Sequence, residues 1–264
     1  MQPFFTLFVL SIPLLSCASG NEVVQCETLF GQPSSNTGLS TAECNGECPC
    51  GDTPFSAPTY SQEDISNLEE AVLLNPPDPL TEDPYSTATQ STPTEDGGVC
   101  AIQGELSGYV LEDYKSASLA HESGAKITHA GPCGQCSSLQ NLSIYIRNPD
   151  LTDPVRECGI KGMLEGDDAN IQCLMDIGFD LPCAQIWFFN TRHTRQVCLE
   201  ECMSALDAPH HMLDGSLNDC IQCDEDESGP VFKAVAGRTR RNSGLPSGLC
   251  RPCGSVYPVV HNSY

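Results

Sequence analysis

Lysine and arginine are missing from the first 114 residues of this 264-residue chain, and the whole sequence has twelve of them against thirty-five acids. A net charge of −23 excludes nucleic acid and anionic membranes as general partners, because the field of the chain repels polyanions. Aromatic residues are scarce at 6%, with one tryptophan, so the apolar core the chain can build is modest. No segment after the first twenty residues is long and apolar enough to cross a bilayer. No HExxH, EF-hand or comparable spacing assigns a reaction or a metal.

Cysteine is what the sequence has in abundance. Residues 1–20 hold an apolar run, Phe4 to Leu15, followed by Ser16, Ala18, Ser19 and Gly20, the layout of a secretory signal peptide. Two features depart from that layout. The leader has no base, and Leu14-Leu15-Ser16-Cys17 resembles a bacterial lipoprotein box, which would make Cys17 a lipid-bearing first residue. On the signal-peptide reading Cys17 is removed and sixteen cysteines are left. They are Cys26, Cys44, Cys48, Cys50, Cys100, Cys133, Cys136, Cys158, Cys173, Cys183, Cys198, Cys202, Cys220, Cys223, Cys250 and Cys253. An even number behind a leader predicts a secreted, extracellular protein with fully paired disulfides, each contributing about 2–4 kcal/mol.

Charge divides the chain. Seventeen acids and no Lys or Arg precede Lys115, whereas eighteen acids and twelve bases follow Tyr114. Such an acidic half attracts cations, calcium or a mineral surface among them; equally, it serves only to keep the protein dispersed.

Composition predicts four segments: the leader over 1–20, an acidic cysteine-rich module with a short helix over 21–74, a Pro/Ser/Thr/acid-rich linker over 75–99, and a disulfide-rich, mainly helical domain over 100–264. Ser61–Leu74 reads as an amphipathic helix with a capping box at Ser61 and Asp64 and with Ile65, Leu68 and Val72 on one face. The linker offers nothing to pack and is either a bare tether or a carrier of O-linked sugars. Ala101–Leu106 and Tyr109–Tyr114 flank Ser107-Gly108 as a hairpin. Helices are expected over Ser137–Arg147 and Asp168–Ile177, from Pro182 to about Leu206, and over Gly229–Arg240. The fold class is therefore α+β, mainly helical and disulfide-rich.

Three C-x-x-C pairs, Cys133/Cys136, Cys220/Cys223 and Cys250/Cys253, read as structural disulfides in a secreted chain, although Cys133-Gly-Gln-Cys136 ahead of a helix also fits a redox site. Four consecutive acids, Asp224, Glu225, Asp226 and Glu227, open one helix, and Arg238, Arg240 and Arg241 close it. Helix-end electrostatics explains this arrangement; the sharper reading gives the acids calcium and the arginines a carboxylate or sulfate. The candidate catalytic residues are His129, His193 and Arg240, alongside the Cys133 region. Asn141-Leu-Ser143 is a glycosylation sequon.

Thr128–Leu142, Phe189–Cys198 and Ala236–Leu245 together resemble uncharacterised secreted cysteine-rich proteins of marine algae and invertebrates, over residues 100–255. That resemblance implies no catalytic residue. The acidic, cysteine-rich composition is similar to that of coral skeletal organic matrix proteins. The expected function is thus an extracellular matrix-type glycoprotein of biomineralization that associates with calcium, mineral or other matrix components. The alternatives are a secreted enzyme with a His/Arg site and an extracellular module that binds an anionic ligand.

Overall fold

The computed structural model describes residues 28–49, 54–87, 97–261 and 264. The expected leader, Cys26, Cys50 and part of the expected linker lie outside the described residues. The fold is mainly helical α+β, as the sequence predicts, with seven disulfides among the described residues.

The chain opens on short strands, β1 (Leu29–Phe30), β2 (Cys44–Asn45), β3 (Glu47–Cys48) and β4 (Phe55–Ser56). β1 pairs in parallel with β2 and antiparallel with β8 (Arg251–Pro252), near the other end of the chain. Cys44–Cys250 and Cys48–Cys253 bolt this contact across 206 and 205 residues. The N-terminal segment is therefore built onto the C-terminal one, a long-range pairing that composition cannot disclose.

Helix α1 (Gln62–Glu69) starts on the expected capping box. The Ser61 hydroxyl accepts from the Asp64 N–H, the Asp64 carboxylate accepts from the Ser61 N–H, and Ile65 and Leu68 face the core. It stops five residues short of the expected end. Val72 and Leu74 exchange backbone bonds with Leu106 and Tyr109 instead, and Asn75 mimics a further strand residue by bonding both N–H and C=O of Leu111. Pairing with an open strand edge wins over one more helical turn. Val72 consequently lies half exposed rather than in the core.

The stretch expected to be an unpacked tether is packed where it is described. It carries α2 (Pro84–Thr87), and Leu80 and Tyr85 rest on the main core. Gln185 bonds both backbone groups of Leu80, and Asp83 pairs with Arg192. Apolar residues only five apart, set between prolines, are enough to dock it.

β5 (Val99–Glu105) and β6 (Gly108–Tyr114) form the expected hairpin. After α3 (Ala117–Glu122), β7 (Lys126–Ala130), which the sequence reading missed, pairs on the other side of β5. Helix α4 (Leu139–Arg147) packs on α1, and α5 (Thr152–Glu165), α6 (Asp167–Ile177) and α7 (Leu181–Val197) pack on one another. Leu139, Leu142, Leu174 and Ile186 are fully buried between them. Asp180 caps α7, and Pro182 sits in its first turn as expected. That helix does not run on to Leu206. It breaks at Cys198, whose φ of −120° leaves the helical range, and α8 (Leu199–Ser204) follows, held to α9 (Asp219–Cys223) by Cys198–Cys223 and Cys202–Cys220. α10 (Gly229–Ala236) ends at Gly237, whose φ of 72° favours glycine. A Cβ on Gly237 or Gly134 would collide with the backbone of the other segment. This close approach lets Gln135 and Cys136 donate their N–H groups to the carbonyls of Val235 and Ala236 that end α10.

None of the three C-x-x-C pairs closes on itself. Cys133 pairs with Cys100, Cys136 with Cys183, Cys223 with Cys198 and Cys220 with Cys202. The Cys133–Cys136 segment caps a helix and ties down two elements, which leaves no dithiol for redox chemistry there. No helix among the described residues is long and apolar enough to cross a membrane.

Candidate functional site

The disulfide frame of α5, α8 and α9 leaves a gap beside α7 and α10. The gap is a cleft of about 590 Å³, within the usual range for small-molecule sites. α5 contributes Val155, Gly159, Ile160 and Met163, and α7 contributes Trp187, Thr191 and Thr194. Leu199, Met203 and Leu206, with the Cys202–Cys220 bridge, form the opposite lip, and Phe232 of α10 forms part of the floor. Met163, Leu164 and Met203 are 59%, 80% and 60% exposed, so the rim presents flexible apolar side chains to solvent. Trp187, the sole tryptophan, stacks on Phe179 at 5.9 Å and meets Phe232 at 4.6 Å.

One end of the cleft is polar. Glu225 accepts from Lys233 at 3.1 Å, Arg241 at 2.8 Å and Arg251 at 2.7 Å. Burial pushes its carboxyl up, but Arg251, Lys233 and Arg241 together outweigh burial and hold it below its ordinary value. Arg240 lies over the Tyr145 ring at 5.3 Å and donates to the carbonyls of Tyr145, Pro246 and Asn148. Burial lowers its guanidinium to about 10. The Tyr145 hydroxyl and the Trp187 indole nitrogen are buried in the wall without hydrogen bonds of ordinary geometry. Burial pushes the Tyr145 hydroxyl up to about 12, offset in part by the indole N–H.

The four acids 224–227 do not converge. A short π-helical turn over Asp224–Ser228 points them apart. Asp224 accepts from Asn190 and Thr194 inside the protein, and burial raises its carboxyl. Glu225 faces the bases, and Asp226 accepts from Gln222. Among the described residues no group of three or more His, Cys, Asp or Glu side chains could hold a metal ion. The expected calcium site at Asp224, Glu225, Asp226 and Glu227 is therefore not formed.

His129 and Arg238 do come together with the Cys133–Cys136 segment, but in a sealed interior. His129 is fully buried; its Nδ1 bonds the Ala130 carbonyl and its Nε2 the Ser137 hydroxyl. Burial, aided by the Arg238 charge, holds the imidazole well below its ordinary value, so it is neutral. Arg238 is fully buried, and all its donors are matched, to Cys136 O, Thr128 O, Ser243 Oγ, Thr128 Oγ1 and Ser137 O. It is a structural hub rather than an anion site. His193 lies elsewhere, stacked on Tyr85 at 4.3 Å and bonded to the buried Ser228 hydroxyl at 2.9 Å. Arg240 alone among the three candidate catalytic residues reaches the cleft. Asn141 is fully buried, with its amide bonded to Asp180 on both sides, so no sugar fits on its nitrogen in the fold.

The sequence reading missed the cleft because α5 is nearly silent in the sequence. Its N-cap is Leu151 without a side-chain bond, and Pro154, Gly159 and Gly162 obscure its period. Met163 and Leu164 at its end, and Met203 and Leu206, were the available signal: exposed apolar residues in an otherwise polar chain.

A family of unknown function, DUF8771, matches residues 167–259. That span holds α6 to α10 and the bases at the polar end of the cleft. No curated protein and no solved structure matches the chain.

Proposed function

We propose that this protein binds an amphiphilic small molecule in the cleft, as a disulfide-framed binding or carrier protein of an oxidising, extracellular setting. The observation that carries this reading is the cleft itself. A chain with few aromatics leaves an apolar gap open and lined by Ile160, Met163, Trp187, Leu199, Met203 and Phe232, whose closure would have gained burial. The Cys202–Cys220 bridge on one lip, and Cys158–Cys173 fixing α5 to α6 behind the other wall, support it, because they hold the gap open against collapse. Of the functions expected from the sequence, this is closest to the module for an anionic ligand. The calcium-binding matrix reading drew on the acids of the N-terminal half and on residues 224–227, and of the latter Asp224 and Glu225 are engaged by partners within the protein. The enzyme reading drew on His129, the Cys133 region, His193 and Arg238–Arg241; Arg240 and Arg241 line the cleft, whereas His129, Cys133, His193 and Arg238 do not.

The test is calorimetric titration of the purified protein with straight-chain amphiphiles of increasing length. Each methylene that enters the cleft should add about 0.8 kcal/mol, close to a fourfold gain in affinity, until the gap is full. Affinity independent of chain length would refute the proposal.

A further inference from the structure

Six of the twelve bases in the chain line this one cleft: Arg156, Arg195, Lys233, Arg240, Arg241 and Arg251. The chain as a whole has almost three acids for each base, yet only Asp150, Asp224 and Glu225 line the cleft with them. Two of these acids have other partners. Asp150 accepts from His210 at 3.0 Å and Ser34 at 2.9 Å. Asp224 faces inward to Asn190 and Thr194. One carboxylate, Glu225, is then shared by Lys233, Arg241 and Arg251, and even with the neighbouring Asp224 counted as ionised these three bases outnumber the two acids. The side chains are only 14–32% exposed there, so water screens this excess incompletely. Burial lowers the Arg251 guanidinium; the Glu225 carboxylate opposes this, and the nearby Arg241 charge adds to the lowering. Arg240 has no carboxylate partner among the described residues.

We infer that the ligand carries one anionic head, a carboxylate, sulfate or phosphate, that enters beside Glu225 among Lys233, Arg241 and Arg251. Its apolar tail then runs along Trp187 and Met203. The arginines suit this role because each gives Glu225 a single nitrogen, and a planar guanidinium has further donors in a fixed fork. The inference rests on the cleft being a ligand site.

The test compares decanoate, decanol and acetate by titration calorimetry on the full protein, at neutral pH and low salt, with wild type and the double variant Lys233→Gln, Arg241→Gln. Decanoate should bind wild type about tenfold or more tightly than decanol, and acetate only weakly. Rising salt should weaken decanoate alone, a wild-type readout that does not need the variant to fold. In the double variant decanoate should fall to the level of decanol, with decanol unchanged. Equal affinity of wild type for decanoate and decanol overturns the anionic head and leaves the cleft reading standing. Failure of both to bind overturns the cleft reading and this inference with it. Binding to vesicles containing phosphatidylglycerol, with no binding of monomeric decanoate, also overturns it, since the basic end would then meet a bilayer surface.

Discussion

Replacing Gly159 by phenylalanine should plug the cleft and leave the protein at least as stable. Gly159 lies mid-way along α5 on the cleft wall, and a Cβ there would meet only the Cβ of Thr191 at 3.8 Å, ordinary contact. Exchange of a mid-helix glycine for phenylalanine recovers about 0.4 kcal/mol of helix propensity. A fully buried phenylalanine contributes about 1.5–3 kcal/mol, and an open cleft buries about half of it. The sum is about 1–2 kcal/mol, or ~2–6 °C in melting temperature for a chain of this length. The ring takes the place of about four ligand methylenes, which lowers amphiphile affinity by roughly two-hundredfold. Gly162, one turn further on, provides the contrast. A Cβ there would lie 2.7 Å from the Asn170 Cβ, so even Gly162→Ala should lose about 1–3 kcal/mol. Scanning calorimetry and ligand titration on both variants make the check. Undiminished binding by Gly159→Phe, or a melting temperature several degrees below wild type, would refute the placement of the cleft.

Arg238→Lys should cost about 3–5 kcal/mol in denaturant unfolding, because three ammonium donors cannot serve the five acceptors around a buried guanidinium; a loss under about 1 kcal/mol would contradict the hub. Stability should fall as pH drops from about 6.5. His129 and His261 are both lowered by burial, His261 to about 3, so the native state keeps them neutral while the unfolded chain protonates them. Their contribution is complete above the unfolded value of about 6.5 and diminishes down to the folded value, at about 2 kcal/mol each by pH 5. A melting temperature unchanged between pH 7 and pH 5 would show that they are not neutral inside. Below about pH 4, Asp150, held well below its ordinary value against burial by His210 and Ser34, adds to the loss. Cys44→Ser or Cys48→Ser alone should cost about 2–3 kcal/mol, since the other bridge keeps the loop small. The two together should cost more than twice that, because the loop of 206 residues then opens; simple additivity in thermal unfolding would contradict a shared clamp.

The sequence discloses elements whose signals are local. The capping box at Ser61, the Ser107-Gly108 turn and Pro182 behind Asp180 each mark an element within a residue or two of where it lies. Tertiary competition is invisible to such signals. Val72 leaves its helical face for a strand edge, Cys198 breaks a helix that its pattern would continue, and Gly237 turns Arg238 out of α10 into the core. The same holds for the site. Arg240 and Arg241 stand out in sequence, but Glu225, Lys233 and Arg251 become their neighbours only through the fold. The acidic run looked like a cation site because four carboxylates in succession ignore direction, and the π-helical turn separates them.

Trp187 makes the central claim directly measurable, because the only tryptophan in the chain stands in the cleft wall. Titration of the protein with a straight-chain carboxylate brominated along its tail, below the concentration at which it forms micelles, reads contact through quenching of Trp187 fluorescence. A cleft that takes the tail predicts saturable quenching with one site per chain, its midpoint moved about two-hundredfold higher in Gly159→Phe. Quenching that rises linearly without saturation, or none at all, would contradict it.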